Sequence, residues 1–157
     1  MNIRLILVGK TMAAYLKEGM AQYAGRLEHY CKFSILELPE LKNAKSLSRD
    51  QIKEKEGEMI LKNIPQGDEV ILLDEHGKEF TSVGWARHLE KKFLYSPRDI
   101  NFVIGGSYGF SQAVYERAGE LLSLSRMTFS HQLCRVVFLE QLYRGFTIIK
   151  GEPYHHE

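Results

Sequence analysis

Short apolar runs at 3–9, 33–39, 70–73 and 100–104 alternate with stretches in which apolar residues recur every three or four positions. The run "IRLILVG" predicts a strand stopped by Gly9, and Met12, Leu16, Met20, Tyr23, Leu27 and Tyr30 then trace one face of a helix near 12–30. "FSILELP" predicts a second strand ended by Pro39. From Ser48 to Asn63 Lys and Glu dominate, and Ile52, Glu56, Met59 and Ile60 mark a helical face only in part, which suits a solvated surface. In "DEVILLDEHG" (68–77) Val70 to Leu73 are apolar without alternation, as expected of a parallel strand covered on both faces. "WARHLEKKFL" predicts a helix, "INFVIGG" (100–106) a further strand, and Gln112–Ala118 a short helix. "LLSLSRMTFS" (121–130) predicts a strand giving way to a polar segment, and His131 to about Ile149 is helical in pattern. Alternating strands and helices predict an α/β fold with a mostly parallel sheet.

In such sheets ligands bind beyond the carboxyl ends of the strands, so the residues after Leu73, Ile104 and Ser125 carry most of the functional interest. After Leu73, "DEHG" offers Asp74 or Glu75 as acceptors for a sugar hydroxyl and Gly77 for a turn with positive φ, although plain turns have the same composition. After Ile104, "GGSYGFS" places three glycines where backbone can approach a ligand and donate its amides. It is neither GxxxxGK[ST] nor GxGxxG, which argues against triphosphate and dinucleotide loops. The third segment, "LSLSRMTFSH", crowds polar residues where the chain should enter the core, so it needs partners from its own turn, a neighbouring loop or a ligand. Ser130 suits an N-cap of the last helix. Within that helix Arg135 and Arg144 are nine positions apart, about 180° around the axis. They cannot meet one phosphate together, so one of them serves structure or faces a second subunit, while Glu140 and Arg144 have the spacing of an ion pair.

Composition narrows the field. The chain has 157 residues, 44% hydrophobic and 26% charged with four prolines, which suits one globular domain over residues 1–157. A formal net charge of +1 means that any nucleic acid must be held by a local patch, a second subunit or a larger assembly. Cys31 and Cys134 form no CxxC, and two free thiols suit a reducing compartment. The start reads as a strand rather than a signal peptide, no window has the length of a membrane span, and no HExxH, GxSxG or metal-binding spacing occurs. The expected location is the cytoplasm.

"LLDEHGKEFTS" (72–82), "FVIGGSYG" (102–109), "LSLSRMTFSHQLCRVVFLEQLYR" (122–144) and "PYHHE" (153–157) together resemble the small RlmH-type ribosomal RNA methyltransferases of the SPOUT, or α/β-knot, class. The likeness extends over essentially the whole chain. It implies a C-terminal trefoil knot, a homodimer with the site beside the subunit interface, and S-adenosyl-L-methionine as cofactor. It also implies methyl transfer to N3 of a pseudouridine in large-subunit (23S) rRNA on the assembled ribosome; the competing reading is a ribosome-binding dimer that keeps the fold without turnover. By the same resemblance Leu72, Leu73, Asp74, Gly77, Ile104, Gly105, Gly106, Gly109, Leu124, Ser125, Met127 and Thr128 hold the cofactor. Tyr154 positions or stacks the base, His155 assists proton transfer or stabilises an anion, and Arg144 supports substrate phosphate or the tail. His156 stands where the family often has a permanent cation.

Overall fold

The computed structural model describes residues 1–156; Glu157, which ends the PYHHE motif, lies outside them. Its strands are β1 (Asn2–Val8), β2 (Lys32–Leu38), β3 (Glu69–Glu79), β4 (Ile100–Ile104) and β5 (Glu120–Ser123). Its helices are α1 (Ala14–Leu27), α2 (Arg49–Lys62), α3 (Ser82–Tyr95), α4 (Gln112–Arg117) and α5 (Leu133–Ile149). The strands pair in parallel throughout, in the order β2-β1-β4-β3-β5.

Successive residues of a strand point to opposite faces, so an unbroken apolar run demands a cover on each. Ile3, Leu5 and Leu7 of β1 join Ile71 and Phe102 in a core with Met20, Leu27, Leu89, Phe138 and Phe146 from α1, α3 and α5. Ile6 and Val8 face the other way, with Leu72 and Val103, against Ile60 of α2 and Val114 of α4. The weak apolar face of α2 suffices because only Ile52, Gly57 and Ile60 are buried on it. Ser48 and Gln51 start that helix with reciprocal capping bonds of 3.1 and 2.8 Å.

Helix α1 is shorter at both ends than the periodicity predicts, and Met12 lies before it, 69% exposed. The predicted strand through 121–125 stops at Ser123; from there the chain leaves the sheet edge and crosses the ends of β3 and β4 toward β1. Gln132 marks its arrival, donating to the Lys10 carbonyl at 3.0 Å and accepting from the Met12 amide at 2.9 Å. Of the two arginines on α5, Arg135 is the structural one. It is fully buried and donates to the Val8 carbonyl at 2.8 Å and to Thr11 Oγ1 at 2.9 Å, with Glu37 at 3.5 Å. The first turn of α5 is thereby tied to the end of β1.

Candidate active site

Three strand ends converge on a cavity of about 530 Å³. The first contribution is a bulge rather than the expected strand end. Leu73 and Lys78 both pair with Leu122, so Asp74–Gly77 is looped out of β3 while the strand resumes to Glu79. Gly77 is needed for close approach, not for positive φ: a Cβ there would lie 2.5–2.6 Å from the Leu121–Leu122 backbone. Asp74 accepts from the His76 amide at 2.8 Å and from the Tyr115 hydroxyl. Burial, and then that bond to Asp74, pushes the Tyr115 phenol up to about 12, so it stays a donor.

The second contribution is the glycine loop after β4, where Gly109 takes φ +85° and closes a turn with its amide bonded to the Gly106 carbonyl at 3.2 Å. The third is the crossing segment after β5. Its polar side chains find partners locally and in the bulge: Ser123 donates to the Ser125 carbonyl at 3.0 Å, Ser125 accepts from the Met127 amide at 3.0 Å, and Thr128 donates to Glu75 at 3.3 Å. Ser130 accepts from the Leu133 amide at 3.0 Å, the capping role expected of it, although the helix proper begins three residues later.

Leu73, Asp74, Ile104, Gly105, Gly106, Gly109, Leu124, Ser125, Met127 and Thr128 all line the cavity. Leu72 does not, because its side chain points to the opposite face and is fully buried in the core, and Gly77 packs behind the bulge instead. Among the lining residues not picked out as cofactor ligands are Tyr115, His131 and Cys134. Burial, reinforced by Arg135, lowers the His131 pKa and favours its neutral form, and burial pushes the Cys134 thiol up to about 11. Tyr115 and Cys134 carried no signal beyond helical spacing.

Glu56 also acts here from outside the lining. Its carboxylate lies so close to Gly106 that a Cβ there would meet both oxygens at 2.9 Å, and Oε1 is buried with no hydrogen-bond partner among the described residues. An acidic residue interrupting an apolar helical face was the sequence signal for it. Burial raises the Glu56 pKa, so the folded chain binds this proton more tightly than the unfolded chain. The stability linked to that proton is present at low pH and is lost as pH rises through the raised value. Glu56→Gln is expected to melt above the wild type at about pH 8, by about 2–4 °C per kcal/mol relieved. Calorimetry should find the gap closing as pH falls to about 4, within the carboxylate range.

The tail is elsewhere in the same chain. Tyr154, His155 and Arg144 are absent from the cavity wall. Arg144 lies ten residues beyond Cys134 on α5, about 15 Å along the axis. There Arg144 donates to Glu140 at 2.8 Å and to His155 Nδ1 at 3.0 Å, Tyr154 donates to Glu140 at 3.0 Å, and the guanidinium sits 4.7 Å from the Tyr154 ring centroid. Because arginine only donates, His155 must accept at Nδ1 and carry its proton on Nε2. Burial first, then bonds to Tyr23 and Glu140, raise the Tyr154 pKa, so it is a neutral phenol.

A family model described as "Predicted SPOUT methyltransferase" matches residues 1–155. The chain belongs to the SPOUT methyltransferase family. It is 54% identical over 157 residues, the full length of both chains, to Ribosomal RNA large subunit methyltransferase H of Parabacteroides distasonis. The protein of the same name from Cytophaga hutchinsonii is 53% identical over 156 residues, covering 99% of this chain and all of that one. A solved structure of a protein from Bacillus anthracis has a TM-score of 0.50 at 12% identity, covering 99% of this chain and 98% of that one, a likeness of fold alone. The chain is accordingly an RlmH-type SPOUT enzyme that uses S-adenosylmethionine.

The cavity suits that cofactor. Its volume lies within the roughly 300–1,000 Å³ of small-molecule sites. Leu73, Ile104, Phe110 and Leu124 offer apolar walls for an adenine ring, Asp74 and Glu75 offer acceptors for ribose hydroxyls or cationic groups, and the glycine loop offers backbone.

Proposed function

We propose that this SPOUT enzyme methylates large-subunit ribosomal RNA at N3 of a pseudouridine, on the assembled ribosome in the cytoplasm and as a homodimer. The observation that carries the reading is the convergence of the Asp74–Gly77 bulge, the Gly105–Gly109 loop and the 124–131 crossing segment on one cavity. Trefoil threading is part of the reading, supported by the path from β5 at the sheet edge across two strand ends to β1.

The dimer explains the position of the tail. Met12, Tyr15, Met127 and Leu133 are 69%, 70%, 78% and 40% exposed around the start of α1, the crossing segment and the start of α5. A second subunit covering this apolar surface brings its own Tyr154 and His155 toward the cavity, which one chain alone does not do. Among the described residues no helix is long and apolar enough to cross a membrane.

When bound, S-adenosylmethionine supplies a methyl group carried on a sulfonium. N3 of the base would give up its proton to solvent before it accepts the methyl group, and the negative charge left behind falls on the flanking carbonyls until the new N–C bond neutralises it. Tyr154 holds the base in line by its ring, and His155, with its proton on Nε2, donates to the carbonyl where charge develops. Arg144 holds both side chains in place.

The test uses S-adenosylmethionine labelled in the methyl group, with ribosomes lacking this methylation and, separately, free ribosomal RNA. Label is expected on one pseudouridine of the large-subunit RNA in ribosomes. Label confined to another RNA, or to none, overturns the substrate.

A further inference from the structure

At the mouth of the cavity Tyr108 projects from the glycine loop, 44% exposed, and the Arg49 guanidinium lies 5.2 Å from its ring centroid. Arg49 belongs to a run, "LKNAKSLSR" (41–49), that holds Lys42, Lys45 and Arg49 and no acidic residue. All three cations are exposed, and none has an ion-pair partner among the described residues. The acids that flank the run are Glu40, whose side chain packs against Gly9, and Asp50, which is paired with Lys53 at 3.9 Å. The facing loop, 105–111, contributes no acid either. This is therefore a small basic patch on a chain whose formal net charge is only +1, joined to an aromatic ring at the opening of the cofactor cavity.

We propose that Tyr108 and Arg49, with Lys45 and Lys42, dock the RNA strand next to the target nucleotide. The Tyr108 ring stacks on a neighbouring base and the three cations meet its phosphates. The inference rests on the ribosomal RNA reading above and adds to it the surface that receives the strand. Chemistry favours this use. A ring stacks on any base, a guanidinium bonds phosphate through two donors, and a nearly neutral protein gains no general attraction for RNA. Reaction at N3 also requires a base drawn out of its stack, which leaves its neighbour's face open to an aromatic partner.

Initial methylation rates on ribosomes lacking the methyl group test the site at several salt concentrations. Each lost phosphate contact lowers the slope of log KM against log salt by about 0.7 for a single strand, so Lys42→Ala/Lys45→Ala/Arg49→Ala should lower it by about 2. Tyr108→Ala should raise the KM for ribosomes about tenfold, and Tyr108→Phe should restore it. The triple variant should bind S-adenosylmethionine as the wild type does, measured by calorimetry. A wild type inert on ribosomes overturns the substrate reading and this site with it. An active wild type whose triple variant keeps the KM and slope overturns this site alone. So does a triple variant that loses cofactor affinity and keeps its ribosome KM, because the Arg49–Tyr108 contact would then only brace the cofactor loop.

Discussion

His155→Ala is expected to lower methyl transfer to ribosomes by about 10²–10⁴-fold, the range for loss of a group that handles a proton or its charge. The rise in Tm caused by S-adenosylmethionine should survive, since His155 lies outside the cavity wall of its own chain. The size of the effect follows from the arrangement on α5. Arg144 donates to Nδ1, which leaves the imidazole proton on Nε2, the atom that the proposed mechanism turns toward the developing anion. Tyr154→Phe keeps the ring over the Arg144 guanidinium but removes the hydroxyl bonded to Glu140, so a smaller loss of about tenfold is expected. Full transfer by both variants would exclude the tail from the chemistry. If cofactor binding fails together with transfer, the tail instead belongs to the cofactor site or the dimer.

The second large effect concerns stability. Arg135→Met should lower the unfolding free energy by about 3–5 kcal/mol, as expected when one partner of a buried, hydrogen-bonded charge group is removed. Its guanidinium serves the Val8 carbonyl, Thr11 Oγ1 and Glu37 at once, and methionine removes that donor from each, although Glu37 still accepts from the Thr11 amide and hydroxyl at 2.8 and 2.9 Å. For a chain of this size the loss corresponds to a Tm lower by roughly 10 °C, and a urea titration gives the free energy directly. Arg135→Lys should recover only part of it, since one ammonium cannot reproduce the planar fork. A methionine variant with the wild-type midpoint would mean that the start of α5 is held to β1 by packing alone. Because His131 and Cys134 flank Arg135 and line the cavity, weaker cofactor binding should accompany the loss.

The sheet was legible because its signals are local. Residues 70–73 are apolar on both faces, as are 100–104 apart from the buried Asn101, and only a strand covered on two sides requires that. The separation of Arg135 from Arg144 also followed from helical geometry alone, since nine residues place them on opposite sides of α5. Most of the cavity-lining positions were legible for a different reason: they sit at strand ends, and the resemblance named the same segments. Leu72 and Gly77 belonged to those segments without reaching the cavity, because alternation turns one into the core and the bulge buries the other.

By itself, then, the sequence determined which segments are strands and helices, which loops carry polar and glycine residues, and which family motifs the chain holds. Only the tertiary structure decided that β3 loops out four residues beside the cavity, that Glu56 Oε1 is buried near Gly106 without a hydrogen-bond partner among the described residues, that Arg49 covers Tyr108, and that the tail rests some distance along α5. The physical reason is separation along the chain. Periodicity reports which side of an element is apolar, but contacts such as Arg49 with Tyr108 or Gln132 with Lys10 depend on the order of strands in the sheet and on the path taken after β5.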